Sequence, residues 1–513
     1  MINGIKHKEF LYLGLILAAF FAFIFYLNIS LNIWEDEVYS LKSTEGNIVS
    51  TIHQALNFEG QPPVYFIILN LWRHIDNSIL FSRLFSLLSI VISALIIFKL
   101  SKIYIPEVNP IFTVLLFLCN PFIMWAGTEI RHYAFSTLLS LFLLYFYNKG
   151  FLSSDRQNKF KAFYFLIAFI GLYTFYYFCF FLFANGMYIL LKKRYKEFFY
   201  YCCIMVIIIV PLLFLYEIFM NQYALHVQSL LPPEGFLARI KEIGQGTQNY
   251  LFSIQVLPLN EFGKFIFKLL ISCIFIFALA TLIVKNKIKE IFSNENTGSL
   301  LFSIIVIYFL YIIVLTAFSQ VYFTERYLIV VYPLLTLFSV LFIWKFLSNN
   351  YFKKILSMLV LFIFLASAFL QFEIPVKKYD YKYIAKYLKT EIKDSRPILF
   401  YRGVLAPIFD YYYSGNSKIY PIPDSSCFTT NFLSNITTVN QLDSILLSLK
   451  TSKFCLVADE QVDIKYSVDY HRPMLYEYLK KKYTIEKDTN IYGRAKIYYL
   501  RVTEFKVPES KLN

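Results

Sequence analysis

Charge is scarce in the first three-quarters of this chain, where apolar stretches of about 17 to 22 residues recur with few or no charged side chains. Hydrophobic residues make up 58% of the 513 residues, aromatic residues 20% and charged residues only 16%. A soluble globular domain has about 25% charged residues, so this composition excludes a soluble globular protein. Each stretch is long enough to cross about 30 Å of hydrocarbon as a helix. The composition therefore predicts a polytopic α-helical membrane protein.

Nucleotide-binding glycine motifs, internal repeats and low-complexity tracts are also missing, which leaves ATP-driven transport without support in this chain. Cysteine is rare, with seven in all, and only Cys427 and Cys455 lie in polar sequence. These two would pair only in an oxidising region, and two cysteines make no disulfide framework. The formal charge of +15 does not indicate nucleic-acid binding, because Lys and Arg fall in short runs between apolar segments.

Eleven apolar segments are candidate membrane spans. They cover roughly residues 10–29, 80–99, 109–126, 130–148, 160–174, 176–192, 198–218, 262–284, 299–319, 326–346 and 354–372. With the amino terminus inside, every basic cluster between spans falls on one side, as expected for cytoplasmic loops. This topology requires that residues 62–76 lie in the interface without crossing and that residues 160–192 cross twice. We therefore predict about 11–13 transmembrane helices in the cell's inner (plasma) membrane, with an uncleaved first span.

Three segments are predicted on the external side: a first loop at 30–79, a second loop at 219–261 and the region after the last span. In that last region charges are frequent, and helix-like segments alternate with strand-like ones, which favours a small α/β domain. The chain therefore divides into a transmembrane domain, 1–372, and a C-terminal extracytoplasmic α/β domain, 373–513.

Polar residues gather at the predicted external ends of the spans. They are Asp36 and Glu37 in WEDEVYSL, Glu59 and Gln61 in NFEGQPPVYF, Glu129, Arg131 and His132 in GTEIRHYAF, and Glu325 and Arg326 in FTERYLIVVYP. Arg131 and Arg326 are singled out as the only arginines at outer span ends, each beside an acid. Flanking charge offers a second explanation, because arginines near a helix end reach lipid headgroups and acids favour a helix N-terminus.

This combination of groups suits the transfer of a group from a lipid phosphate. A carboxylate at a membrane surface acts as general base toward a hydroxyl, which contributes about 10²–10⁴ in rate. Arginines at the same depth bind a phosphate through paired hydrogen bonds and neutralise it as it becomes a leaving group.

The motifs also follow a recognisable order between residues 10 and 372. An acidic DE pair comes after the first span, followed by PPVYF, then SRLFSLLS at the next span, RHYAF at an outer helix start and ERYLIVVYPLL. This order resembles the membrane glycosyltransferases of the GT-C superfamily. It is most similar to the bacterial branch of protein O-mannosyltransferases and of the transferase that adds aminoarabinose to lipopolysaccharide. The resemblance implies a polyprenyl-phosphate sugar donor, an inverting displacement at the external face, and a glycan, lipid or protein as acceptor.

Carried onto this chain, the resemblance implies that Asp36 is the catalytic base and that Glu37 positions Asp36 or the acceptor. It places Arg131 and Arg326 near the donor phosphate. The other residues that it implies are His132 and Glu325 as second candidates near the phosphate, and Glu59, Gln61 and Tyr133 in positioning the acceptor or the first loop.

Two departures from the family pattern matter. Glu35 precedes the acidic pair, so the motif and not the chemistry assigns the base to Asp36. Some relatives bind a divalent metal through a carboxylate and a histidine, and His226 in the second loop is the candidate here. A lone histidine in a polar loop is more often ordinary surface. No metal site is assigned, therefore, and a divalent cation stays open as a cofactor.

Two other classes compete with a glycosyltransferase. A transporter or flippase of lipid-linked sugars predicts ionisable residues near span midpoints and paired half-repeats, whereas the mid-span regions here are almost free of charge. A polymerase or ligase of surface polysaccharide shares the chemistry and differs in its acceptor. Neither the sugar nor the acceptor follows from the sequence.

Overall fold

Most of the predicted membrane domain and much of the tail are described in the computed structural model. It describes residues 2–153, 157–218, 220, 235–253, 257, 259–260, 262–269, 294–318, 323–346, 350–373, 376–392, 395–401, 406–409, 411–422, 446–447, 451–459, 478–493 and 499–508. His226 and Cys427, both named from the sequence, lie outside these residues. Cys455 is a free, buried cysteine.

The described part of the chain is mostly helical, as predicted. Its α-helices are Ile2–Ser30, Glu35–Ser43, Ile48–Asn57, Val64–Arg73, Ile79–Tyr104, Pro110–Leu118, Pro121–Ala126, Tyr133–Tyr147, Asn158–Leu172, Phe178–Leu191, Tyr195–Leu213, Phe236–Phe252, Glu295–Ala317, Tyr332–Leu341, Asn350–Phe372, Tyr381–Glu391 and Ala406–Phe409. Among the described residues, 5 helices are long and apolar enough to cross a membrane. Their exposed Phe, Leu and Ile side chains face outward, which suits lipid as the surrounding solvent.

Two of the predicted spans are interrupted and not continuous. In 109–126 the helix stops at Leu118, and a new one starts at Pro121, where the Asn120 side chain accepts the N–H of Phe122. Proline cannot continue a helix but suits its first turn. A non-helical stretch at 127–132 then precedes the helix Tyr133–Tyr147.

The span predicted at 326–346 is also divided. It begins as the 3₁₀ segment Glu325–Val330, continues as the α-helix Tyr332–Leu341 and ends as the π-helical turn Phe342–Phe346. The segments 127–132 and 325–330, which contain Arg131 and Arg326, therefore have a backbone that is not α-helical. Such breaks are tolerated at membrane depth only where protein or water surrounds them.

The segment Val64–Arg73 forms a helix of 10 residues, too short to span a bilayer. Its Arg73 is buried and donates to the carbonyl of Leu41 and the hydroxyl of Thr44. Asn70 of the same helix donates to the carbonyls of Thr44 and Gly46. The helix therefore packs against the earlier part of the first loop and supports the helix Glu35–Ser43.

The tail forms a five-stranded mixed sheet. Its strands are β1 (Ile398–Tyr401), β2 (Ile419–Ile422), β3 (Lys453–Asp459), β4 (Thr484–Tyr492) and β5 (Tyr499–Lys506), in the order β2-β1-β3-β5-β4. The first three strands pair in parallel, and β5 is antiparallel to both β3 and β4. The predicted α/β character is confirmed, and β4 is a strand that the sequence pattern did not reveal.

The sheet domain packs directly on the first loop. Ile33 and Val38, on either side of the acidic triplet, join the hydrophobic core of the sheet domain. The N–H of Ile33 donates to the hydroxyl of Tyr412 at 2.7 Å, and the Asn32 side chain accepts the N–H of Lys377 at 2.8 Å. The position of the helix Glu35–Ser43 is therefore set jointly by the membrane helices and the tail.

Candidate active site

The helix Glu35–Ser43 carries three consecutive acids in its first turn. Acids are favoured there because the N-terminus of a helix is positive. They are not solvated as in a surface loop, since Glu37 is fully buried and the Asp36 side chain is only 19% exposed. Buried charges need partners, and each of the three acids has its own.

Asp36 lies between two arginines from distant parts of the chain. Arg326 Nη1 donates to Asp36 Oδ2 at 2.6 Å, and Arg131 Nη2 lies 3.9 Å from Asp36 Oδ1. Burial raises the pKa of Asp36, but the charges of Arg131 and Arg326 outweigh burial and hold the pKa below its usual value. Asp36 is therefore ionised at neutral pH, as a general base must be.

Arg326 is held by aromatic rings as well as by Asp36. Its guanidinium carbon lies 5.6 Å from the ring centroid of Trp34 and 5.8 Å from that of Tyr133, within reach of cation–π attraction. Its side chain is 26% exposed, compared with 8% for Arg131. Of the two arginines, Arg326 is the more accessible to a ligand.

Arg131 is anchored deeper in the protein. Its Nη1 donates to Glu59 Oε2 at 2.5 Å and to the Ser40 hydroxyl at 3.1 Å. Burial raises the pKa of Glu59, and the charge of Arg131 offsets only part of that rise. Glu59 therefore positions Arg131, and Arg131 places its charge beside Asp36.

Glu37 is the most enclosed acid of the triplet. It receives two hydrogen bonds from Arg83, at 2.9 and 2.8 Å, and the backbone N–H of Ile130 at 3.3 Å. Arg83 also donates to the carbonyls of Asn28, Leu31 and Asn32 at the end of the first helix, groups that have no partner within that helix. Glu37 and Arg83 thus join the first helix to the helix Ile79–Tyr104.

Lys377, from the start of the tail, links two buried acids. Its Nζ lies 2.8 Å from Glu37 Oε2 and 2.9 Å from Glu129 Oε1, and donates to the carbonyl of Thr128 at 2.8 Å. Burial raises the pKa of Glu129 and lowers that of Lys377, so each depends on the other to stay charged. The indole N–H of Trp34 donates to the other Glu129 oxygen at 2.7 Å.

The other residues predicted from the sequence take different positions. His132 lies in contact with Ser136 Oγ at 3.1 Å and against the ring of Phe175. Glu325 accepts from the Asn249 amide at 2.8 Å, and burial raises its pKa. Both neighbour an arginine in sequence, yet neither contact involves Asp36. Tyr133 reaches the site through Arg326, as described above. The backbone N–H of Gln61 donates to the Ala55 carbonyl at 3.0 Å, which closes the turn after the helix Ile48–Asn57.

Sequence reasoning missed Arg83 and Lys377. Arg131 and Arg326 are not the only arginines at outer span ends, because Arg83 lies in the second turn of the helix Ile79–Tyr104. A lone arginine in an apolar helix was the signal that would have revealed it, since such residues are costly without a partner. Lys377 carried no such signal, because it lies in a basic pair in polar sequence.

No cluster of three His, Cys, Asp or Glu side chains able to hold a metal occurs among the residues that the structure describes. The carboxylates of Asp36 and Glu59 face arginines instead.

Interrupted helices around an acid–arginine cluster, with a small sheet domain packed on the first loop, define a GT-C type of membrane fold. Residues 60–216 match the family model described as dolichyl-phosphate-mannose-protein mannosyltransferase. Two solved structures share the fold over nearly the whole chain. The crystal structure of ArnT from Cupriavidus metallidurans in the apo state has a TM-score of 0.57 at 12% identity and covers 98% of both chains.

The second structure is ArnT from Cupriavidus metallidurans bound to undecaprenyl phosphate. It has a TM-score of 0.55 at 11% identity and covers 96% of this chain and 97% of that chain. No curated protein sequence matches the chain. The resemblance to the GT-C superfamily is thus confirmed. The family match includes Arg131 but neither Asp36 nor Arg326, so the roles of those two residues depend on the geometry.

Proposed function

We propose that the protein transfers a sugar from a polyprenyl-phosphate donor to an acceptor hydroxyl, with inversion at the anomeric carbon and with Asp36 as general base. The observation that carries the proposal is the pairing of one partly exposed aspartate with two arginines. A phosphate ligand and a proton acceptor are the two groups that this reaction requires.

In the proposed reaction, the acceptor oxygen attacks the anomeric carbon as its proton passes to Asp36. The bond from that carbon to the phosphate oxygen breaks, and polyprenyl phosphate leaves with one further negative charge. Arg326 and Arg131 stabilise that charge through charge-assisted hydrogen bonds.

The contact between Arg326 and Asp36 gives this reaction an order. While Arg326 donates to Asp36, the carboxylate is held in its weakly basic form. A donor phosphate competes for the same guanidinium. When Arg326 turns to the phosphate, Asp36 loses one of the charges that lower its pKa and becomes a stronger base. Donor binding therefore precedes activation of the acceptor.

Among the three acids, the contacts favour Asp36 as the base. Glu37 is enclosed by Arg83 and Lys377, which suits the positioning role proposed for it. Glu35 is paired with Lys378 through both carboxylate oxygens, at 3.0 and 2.9 Å. Asp36 alone of the triplet contacts the two arginines assigned to the phosphate.

The donor assignment has two supports. One relative of the same fold was solved with undecaprenyl phosphate, and the matched family model names a lipid phosphate sugar as donor. Hexosyl and pentosyl donors both fit the proposal, and so do several classes of acceptor. The external face is proposed as the reaction side because the basic loops predicted from the sequence lie opposite the acid–arginine cluster.

A flippase of lipid-linked sugars is the competing function. It requires ionisable groups near the middle of spans. In the 5 long apolar helices that the structure describes, every Lys, Arg, Asp and Glu lies close to a helix end. That distribution favours transfer at one face over passage through the bilayer. A polysaccharide polymerase or ligase would use the same residues.

The test is sugar transfer by the full chain in lipid nanodiscs, with lipid-linked sugars and envelope extract from the source cells. Asp36→Asn is expected to lower the rate by at least about 10², because the amide cannot accept the proton. Glu35→Gln is the matched control, since it changes the neighbouring acid in the same helical turn and should retain most activity. Near-normal transfer by Asp36→Asn, with normal insertion in the membrane, would disprove the assignment.

A further inference from the structure

A second concave surface lies in the sheet domain, apart from the acid–arginine cluster. It has a volume of about 270 Å³, which is roughly the volume that nine water molecules occupy in the liquid. This space is enough for one sugar residue. Its lining comes from one helix and from strand β4. The lining residues are Asp380, Tyr383, Tyr387, Thr489, Asn490, Ile491 and Tyr492. We call this surface the tyrosine cleft.

The helix Tyr381–Glu391 has three separate stripes at helical spacing. The first faces the core of the sheet domain, the second is basic and the third lines the tyrosine cleft. In that order they consist of Tyr381, Ile384, Ala385 and Leu388; of Lys382, Lys386 and Lys389; and of Asp380, Tyr383 and Tyr387. Tyr387 also packs against the core of the sheet domain, whereas Asp380 and Tyr383 are cleft residues outside that core.

The walls of the cleft combine exposed rings with hydrogen-bonding groups. Tyr383 and Tyr492 are 54% and 52% exposed, which is unusual for such large side chains on a folded domain. Ile491 forms a buried floor, and Asn490 is exposed beside it. Asp380 caps the helix by accepting the N–H of Tyr383 at 3.0 Å. Flat rings with an adjacent amide and carboxylate fit the apolar ring face and the hydroxyl edge of a sugar.

Exposed tyrosines also suggest a lipid headgroup or a peptide as ligand, and the surroundings of the cleft argue against both. An anionic lipid headgroup would meet the carboxylate of Asp380 in the cleft. Lys382, Lys386 and Lys389 lie on another stripe of the helix, and Lys487, near Tyr387, is already paired with Glu391. An extended peptide would need the free edge of β4. Lys487 of β4, however, pairs with Glu391 at 2.5 Å and lies 5.2 Å from the ring centroid of Tyr387, so a peptide along this strand would have to pass this ion pair. A hydroxyl-rich ligand of low charge remains the best fit.

A very short stretch of chain separates the cleft from the lysines that pair with the acids of the helix Glu35–Ser43. Asp380 follows Lys378, which holds Glu35, and Lys377, which holds Glu37. Two residues span at most about 7 Å of extended chain. The cleft therefore begins two residues away from a lysine that pairs with an acid of the helix Glu35–Ser43.

On the basis of the function proposed above, we propose that the tyrosine cleft binds a saccharide portion of the acceptor. The acceptor is then a glycan or glycolipid, and the cleft holds a sugar unit distant from the attacking hydroxyl. Such a site raises affinity for long acceptors and has no part in the chemical step.

The test uses the full chain in nanodiscs and saturation-transfer NMR with saccharides released by mild acid from the envelope of the source cells. Carrying the Asp36→Asn change in every sample separates binding from transfer. We expect saturation transfer to at least one saccharide, with an affinity weakened about tenfold or more by Tyr383→Ala with Tyr492→Ala. Tyr411→Ala, which alters an exposed tyrosine outside the cleft, should leave it unchanged.

Transfer assays supply the second readout, in protein with Asp36 intact. The double tyrosine variant should raise the KM for envelope acceptor about tenfold at constant kcat and constant donor KM. Saccharide binding that is absent, or equal in the cleft and control variants, overturns the proposal. So does binding of vesicles or peptides that the double variant abolishes. If Asp36→Asn retained transfer, the proposed base would fail while the binding result stood.

Discussion

Lys377→Met tests whether the tail completes the charge balance beneath the helix Glu35–Ser43. Two acids, Glu37 and Glu129, face two bases, Arg83 and Lys377, so the buried set is neutral. Removing the ammonium leaves one uncompensated negative charge where the Lys377 side chain is only 6% exposed. Loss of one partner from a buried ion pair costs about 3–5 kcal/mol. We expect the free energy of unfolding to fall by that amount.

Neutrality can be restored by removing a matching acid. Glu129→Gln alone leaves one excess positive charge, whereas Lys377→Met combined with Glu129→Gln returns the set to zero. The double variant should therefore be more stable than the sum of the single changes predicts, with a coupling energy of about 1–3 kcal/mol. Unfolding of the full chain in mixed micelles by SDS titration, followed by tryptophan fluorescence, measures all three variants.

Lys378→Met is the control at the next residue. The Lys378 side chain is 24% exposed, compared with 6% for Lys377, and it pairs with the buried acid Glu35. Water screens the more exposed Lys378 charge, so this change should lower the free energy of unfolding less than Lys377→Met does. Additive effects of Lys377→Met and Glu129→Gln, or equal effects of Lys377→Met and Lys378→Met, would refute the charge-balance argument.

Three further predictions concern activity. The lowered pKa of Asp36 means that it stays ionised, and contributes its stabilisation, until the pH falls below about 4, so kcat/KM should be level from pH 8 to about pH 5. Arg326→Ala removes one of the charges that lower this pKa, so the acid limb of the pH profile of kcat/KM should move to higher pH, and kcat/KM for the donor should fall about 10- to 10²-fold. Arg326→Lys keeps the charge and should leave the acid limb in place. Gly246→Ala would place a methyl group 3.0 Å from the Glu325 side chain and shift the segment Glu325–Val330, so kcat should fall by about 10- to 10²-fold. Gly244→Ala is the control, because its methyl group meets nothing within 4 Å, and it should leave kcat unchanged.

The sequence predicted the acid–arginine cluster because its signals were local. Asp36, Arg131 and Arg326 each lay at the end of an apolar run, and a consistent topology put all three on one face. The structure brings them into contact, at 2.6 and 3.9 Å. Their roles in phosphate binding and catalysis stay predictions that the variants above will test.

Other features left no local signal. Strand β4, TIEKDTNIY, lies at a sheet edge with most of its side chains exposed, so it lacks the alternation that identifies a half-buried strand. The break at Asn120–Pro121 was invisible to hydropathy, because both sides of it are apolar. Lys377 joins Glu37 across a separation of 340 residues, which no window along the chain can detect.

That separation also constrains biogenesis. On a ribosome, the first helix and its acidic triplet emerge early, whereas residue 377 is synthesised only after the last of the predicted spans. Until then Glu37 and Glu129 lack the ammonium of Lys377, and the helix Glu35–Ser43 lacks the core contacts that the sheet domain provides. Chains that end before residue 377 therefore carry Asp36, Arg131 and Arg326 without the contacts from the tail that position the helix Glu35–Ser43. The first loop is synthesised early, but it gains its final contacts only after the C-terminal region has been made and has folded onto it.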